Sequence, residues 1–262
     1  MPGLRHTNAD QGRERTMMRR MAIWLAILLA AAPLAASARA EDVFTPAQRE
    51  AIIAIVREAL KRDPTILRDA VEAMQADEQA TRQANAKAAI VARRGSLVSP
   101  ADPVAGNPAG DVTLIEFFDV RCPYCKRLDP EVVKLLAADH GVRLVYKDLP
   151  ILGAPSMLGA KALLAAQRQG KYDELREALM HQGAPSAESI HADAAKLGLD
   201  TDRLERDMQD PAIQARLDAN LKLAHDLGIS GTPAMVIGTN LVAGAVSLAE
   251  LQSAIAAARH AD

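Results

Sequence analysis

Aromatic side chains make up only 3% of the 262 residues. The core must therefore be aliphatic, and with so much of the apolar fraction in alanine it is expected to be rich in helix. No sign of charge dominates: 31 Lys and Arg stand against 33 Asp and Glu. That balance excludes the basic stripe of a nucleic-acid binder, and no nucleic acid is expected as a partner. Hydrophobic residues at 49% and charged residues at 24% exclude wholesale disorder and collagen-like fibres. No internal repeat or low-complexity tract is present. Cysteine is the scarcest informative residue. There are two, Cys122 and Cys125, too few for a scaffold stapled by disulfides. A bridge across a two-residue gap removes almost no loop entropy, so the pair calls for a chemical rather than a stabilising reason.

The first forty residues read as an export signal. Arg19 and Arg20 precede the apolar run 21–32 (MAIWLAILLAAA), and Ala38-Arg39-Ala40 supplies a small-x-small cleavage site near Ala40. The run is short for a bilayer span, and the alternative is an uncleaved N-terminal anchor. Met17 or Met18 offers an alternative start. Export implies a compartment where disulfides persist, the periplasm.

Residues 41–95 read as a helical arm. Thr45-Pro46-Ala47-Gln48 forms a capping box with proline at the first helical position, and Ile52, Ile55, Val56 and Leu60 recur at helical spacing. Asp63-Pro64 stops and restarts the helix, which then runs to about Arg93 with Leu67, Val71 and Met74 as a narrow stripe. Such an arm cannot bury itself, and either docking or self-association would cover it. Residues 95–110 form a linker with one short edge strand. Strand 112–119, a helix from Pro123 and strand 142–147 make a βαβ unit with parallel strands. Residues 155–227 are an all-helical insertion. A hairpin (234–237 and 241–243) and a last helix capped by Ser247 close the chain. The domain thus spans 96–262.

Cys122 falls between a strand end and Pro123, which places it at the helix N-cap. Its sulfur is expected to face the amides of Tyr124 and Cys125, whose donors and helix dipole stabilise a thiolate and make it the attacking group. Cys125, one turn in, suits the resolving role. A zinc site lacks ligands, since His140, His181, His191, His225 and His260 are scattered, and no metal site is assigned. Two thiolates could hold Cu(I), so a copper-binding or copper-tolerance protein is the alternative reading. Phe117, Phe118 and Met235 are read as core, and Lys126, Arg127 and Lys147 as a solvated face.

Strand–Cys-Pro-Tyr-Cys–helix, a helical insertion, Gly231-Thr232-Pro233 before a hairpin and a final helix together resemble the DsbA-type thioredoxin-fold oxidoreductases. The Asp63-Pro64-Thr65-Ile66-Leu67 break in the arm is similar to the suppressor-of-copper-sensitivity C and Com1-like branch. The resemblance implies an α/β thioredoxin fold with an inserted helical subdomain. It also implies thiol–disulfide exchange through Cys122, Cys125 and the Pro123-Tyr124 dipeptide, without an organic cofactor because the dithiol carries the electrons. Glu116 would be the family's buried acid, accepting the Cys125 proton, with an exposed edge carboxylate as the alternative. Pro233 would be its cis-proline, with the Thr232 side chain as neighbour of the sulfurs. Implied partners are exported proteins with thiols or disulfides, a membrane redox partner of the DsbD or DsbB type, and a homotrimer through residues 41–95. The strongest oxidants of the family place His before the second cysteine. Tyr124 cannot supply that charge, which implies a less oxidising couple and favours isomerase or reductase over oxidase.

Overall fold

A computed structural model describes residues 44–260; the export signal read in residues 1–40 lies outside them. The chain divides into two compact units, the first ending at Ala70 and the second beginning at Val71.

Helix α1 (Pro46–Arg62) begins as its sequence dictates. The Thr45 hydroxyl accepts from the Gln48 amide, and Gln48 Oε1 accepts from the Thr45 amide. The helix ends at Asp63, whose carboxylate accepts from the Thr65 amide at 3.0 Å and so restarts the chain as α2 (Thr65–Ala92). No residue of α1 is buried. Ile52, Ile53, Ile55 and Val56 stay exposed, as do Ile66 and Leu67 at the start of α2.

In the second unit, Val71 and Met74 of α2 are also exposed, and only Ala86 and Ile90 of that helix are buried. A five-stranded sheet follows, β1 (Val104–Gly106), β2 (Val112–Phe118), β3 (Val142–Asp148), β4 (Ala234–Ile237) and β5 (Asn240–Ala243), in the order β1-β3-β2-β4-β5. The β2–β3 pair is parallel and the other pairs are antiparallel. Helix α3 (Pro123–Ala138) makes the parallel crossover. Five helices intervene before β4: α4 (Ala154–Gln167), α5 (Tyr172–Met180), α6 (Ala187–Lys196), α7 (Thr201–Met208) and α8 (Pro211–Asp226). Helix α9 (Leu248–Arg259) comes last, with Ser247 and Glu250 closing its capping box. This is the thioredoxin arrangement with a helical insertion that the motifs implied.

Strand β2 is covered on both faces. Leu114 and Phe118 join Leu128, Val132 and the insertion's Leu163, Leu175 and Leu179 in the main core. Ile115 and Phe117 pack on the other side with Ile90, Leu97, Leu223 and Leu227. Phe117, Phe118 and Met235 are core residues, as expected.

Lys147 corrects the sequence reading. It is not on a solvated face: it is 3% exposed, its ammonium 2.6 Å from Asp102, whose other oxygen lies 3.6 Å from Arg216. A strand covered on both faces has no solvent side, so its lysine must find a buried partner. Lys126 is half-buried and donates to the Gln182 carbonyl, while Arg127 remains exposed.

Candidate active site

The site is built where β2 hands over to α3. Asp119, 2% exposed, organises the turn. One of its oxygens accepts from the Arg121 amide at 2.8 Å and the other from the Leu152 amide at 3.1 Å. Its carbonyl accepts from the Cys122 amide at 2.9 Å, and Arg121 returns a bond to the Leu152 carbonyl. The segment after β3 is thereby stitched to the turn that carries the cysteines. Ile151 and Leu152 of that segment stay exposed, as does Tyr124.

Cys122 is the N-cap of α3, with extended backbone, and Pro123 follows in the first turn. Both thiols are free. The sulfur of Cys122 makes no capping hydrogen bond to the helix amides. Its Sγ–H instead donates to the Thr232 carbonyl, 3.1 Å away. A protonated thiol has one proton to donate, and the Thr232 carbonyl takes it. Thr232 therefore meets the sulfur through its main-chain carbonyl, where a side-chain contact was expected, and the Thr232–Pro233 peptide bond is cis. The loop 228–234 lines a cleft of about 240 Å³ with Leu241, Ala243 and Gly244 of the hairpin.

Cys125 is fully buried on the inner face of α3. Burial is the first cause holding its thiol well above the ordinary range; a backbone hydrogen bond from Asp119 opposes this, and the Glu116 charge adds to it. Glu116 lies on the same face of β2 as Phe118 and is 3% exposed, which removes the exposed-edge alternative. Burial raises its carboxyl to about 7, with the Arg176 charge pulling down and the Asp129 charge pushing up.

Three functional candidates escaped the sequence reading. Asp119 carried a signal, since an aspartate directly after a strand is a common turn former. Asp129 is one turn beyond Cys125 on the face of α3 that carries Leu128 and Val132, and Arg176 stands between Tyr172 and Leu179 on the buried face of α5. A charge at an apolar position of a helix is the signal both carried. Among the described residues, no group of three or more His, Cys, Asp or Glu is placed to hold a metal ion.

Known proteins share this frame. Residues 113–256 match the DSBA-like thioredoxin domain, and residues 48–81 match the copper resistance protein ScsC N-terminal domain. A thioredoxin-like oxidoreductase from Silicibacter pomeroyi is 46% identical, covers 63% of this chain and 95% of its own, and superposes with a TM-score of 0.61. Proteus mirabilis ScsC in a transitional conformation is 29% identical over 84% of this chain and 99% of its own, with a TM-score of 0.61. A periplasmic thioredoxin-like protein from Salmonella enterica serovar Typhimurium is 30% identical over 64% of this chain and 95% of its own, with a TM-score of 0.58. Among curated sequences, the Na(+)/H(+) antiporter NhaA 1 of Salinispora arenicola is 30% identical over 169 residues, yet the match spans only 26% of that protein. No helix among the described residues is long and apolar enough to cross a membrane. The chain belongs to the DSBA-like thioredoxin domain family and carries an ScsC-type N-terminal domain ahead of it.

Proposed function

We propose that this chain is a periplasmic thiol–disulfide oxidoreductase that exchanges disulfides in exported proteins, acting as an isomerase or reductase rather than an oxidase. The observation that carries the reading is the Cys122 sulfur, set at a helix N-terminus with the carbonyl of Thr232, the residue before Pro233, 3.1 Å away. The N-terminal amides and dipole of α3 favour negative charge on that sulfur once its proton leaves. The Cys122 thiolate attacks a substrate disulfide and one substrate sulfur departs as thiolate, leaving a mixed disulfide. Glu116, as carboxylate, takes the Cys125 proton. The Cys125 thiolate then attacks the Cys122 sulfur, the intramolecular disulfide forms and the second substrate thiolate leaves. Pro233 and the Thr232 backbone position an extended substrate, and the electrons pass through the dithiol without an organic cofactor.

Two features support shuffling over oxidation. Tyr124 supplies no cationic ring to stabilise the reduced form. The exposed apolar residues of α1 and early α2 suit self-association through residues 41–95, a homotrimer in which several active sites meet one substrate. Export with cleavage near Ala40 supplies the compartment, and a membrane partner of the DsbD or DsbB type recycles the dithiol. The ScsC-type match of residues 48–81 favours one rival, Cu(I) held by the same two sulfurs.

Reactivation of scrambled ribonuclease by the reduced protein tests the proposal. Recovery of ribonuclease activity, with light scattering showing a trimer that becomes a monomer once the arm is deleted, is the expected result. Stoichiometric Cu(I) uptake with no reactivation would favour the rival, and an unchanged monomer mass would remove the trimer.

A further inference from the structure

Resting on the exchange chemistry just proposed, the helical insertion contributes directly to the interior of the active site. Arg176 of α5 is 7% exposed. Its Nη1 donates to Asp129 Oδ1 at 2.7 Å, four residues beyond Cys125 on α3. Its guanidinium lies 4.5 Å from the centre of the Tyr146 ring and 5.9 Å from that of Phe118. Tyr146 is the β3 register partner of Glu116, and Phe118 is two residues along β2 on the same face. Arg176 is thus fixed by a carboxylate on the active-site helix and by the rings of two residues that neighbour Glu116 on the sheet, one across on β3 and one along β2. Its Nε, also buried, makes no hydrogen bond. A buried guanidinium with one buried donor to spare, held against the ring of the register partner of a buried carboxyl, is an arrangement with a preferred charge state, because a low-dielectric interior strengthens their attraction.

We propose that Arg176 is a positioning residue for the resolving step, a cation supplied by the helical insertion that holds Glu116 ready as carboxylate to take the Cys125 proton. The step forms the Glu116 O–H bond as the Cys125 S–H bond breaks. The Cys125 thiolate then forms the S–S bond to Cys122 and expels the substrate sulfur with its electron pair. Arg176 exchanges no proton. The ionisable groups facing Glu116 are Arg176 from α5, Asp129 and Cys125 from α3, and Tyr146 from β3, with Asp173 of α5 acting on Tyr146. Arg176 favours the ionised form of Glu116 and Asp129 opposes it.

Single-turnover reaction of the reduced full chain with 5,5′-dithiobis(2-nitrobenzoate) separates the two steps. Attack by Cys122 releases one coloured thiolate and resolution by Cys125 releases the second, each followed across pH. Arg176→Gln keeps a donor for Asp129 but loses the charge. It should move the alkaline rise of the second release upward by about one pH unit, a roughly tenfold slower resolution near neutrality, while the first release keeps its rate. Arg176→Lys should restore the wild-type profile. Asp129→Asn removes the opposing charge and should move the second release to lower pH, which keeps the test decisive should Arg176→Gln fail to fold. Wild-type profiles in both Arg176→Gln and Asp129→Asn, or equal shifts in both releases, would overturn the assignment of Arg176 alone. A wild-type chain that showed no second release would instead strike at the exchange reading itself.

Discussion

The Sγ of Cys122 and the carbonyl oxygen of Thr232 lie 3.1 Å apart across 110 residues of sequence. The contact joins the N-terminus of α3 to the loop before β4, and it brings the sulfur proposed to attack to the backbone proposed to pair with an extended substrate. In the reduced state the carbonyl holds the thiol proton. Once that proton leaves, the carbonyl repels the sulfur and the amides of α3 attract it.

Glu116 should make stability depend on pH. Its carboxyl is raised to about 7 in the folded chain against 4.5 ordinarily. The stability tied to its protonated form is fully present below the ordinary value and is lost as pH rises through about 7. Glu116→Gln removes that loss. Urea unfolding at pH 8 should find the variant more stable than wild type by about 3 kcal/mol, with the difference vanishing near pH 4. The same variant should slow the resolving step, because the proton acceptor is gone.

Asp148 provides a contrast. Burial raises its carboxyl to about 7 as well, with Tyr172 donating to it at 3.0 Å and the Arg216 charge opposing the rise. Its stabilising contribution also disappears as pH rises through about 7. Asp148→Asn can still accept from Tyr172, so it should raise stability above neutral pH in the same unfolding experiment. Exchange kinetics should stay at the wild-type rate, since no step of the proposed chemistry passes through Asp148.

The dipeptide prediction concerns redox poise. Tyr124 is 55% exposed, with the Arg127 guanidinium 5.0 Å from its ring centre. Tyr124→His places an ionisable ring beside the cysteines and should stabilise the reduced form. Equilibration with glutathione should show a couple about tenfold more easily reduced, near 30 mV. An unchanged equilibrium would detach the dipeptide from the preference for isomerisation.

Lys147 and Asp102 form a buried ion pair outside the site. Lys147→Ala leaves Asp102 the Ser99 amide and, as its remaining cation, the more distant Arg216, and should cost about 3–5 kcal/mol, whereas replacing both members of the pair with apolar residues should cost less. Thermal unfolding of the three chains at neutral pH measures the difference.

Much of this architecture was legible in local sequence. Thr45 with Gln48, and Ser247 by itself, announce helix starts because capping is settled within four residues, and strand β2 is a nearly continuous apolar run. Cys122 reads as an N-cap from the strand end before it and Pro123 after it. What escaped depends on distant partners. The sulfur's turn toward Thr232 needs a loop far along the chain, and the burial of Lys147 needs Asp102 from the linker. Arg176 and Asp129 become a pair only when α5 packs on α3. Local pattern could not supply the counterions that let these charges be buried.

The division of labour between the two sulfurs is tested most directly by trapping covalent adducts. Full-length Cys125→Ser and Cys122→Ser chains, each incubated with scrambled ribonuclease, are quenched with acid, alkylated and separated without reductant. The account predicts mixed disulfides on Cys122 of the Cys125→Ser chain, about tenfold or more above those formed by Cys122→Ser, because a buried, hard-to-ionise thiol attacks slowly. Adducts forming equally on either chain, or preferentially through Cys125, would contradict it.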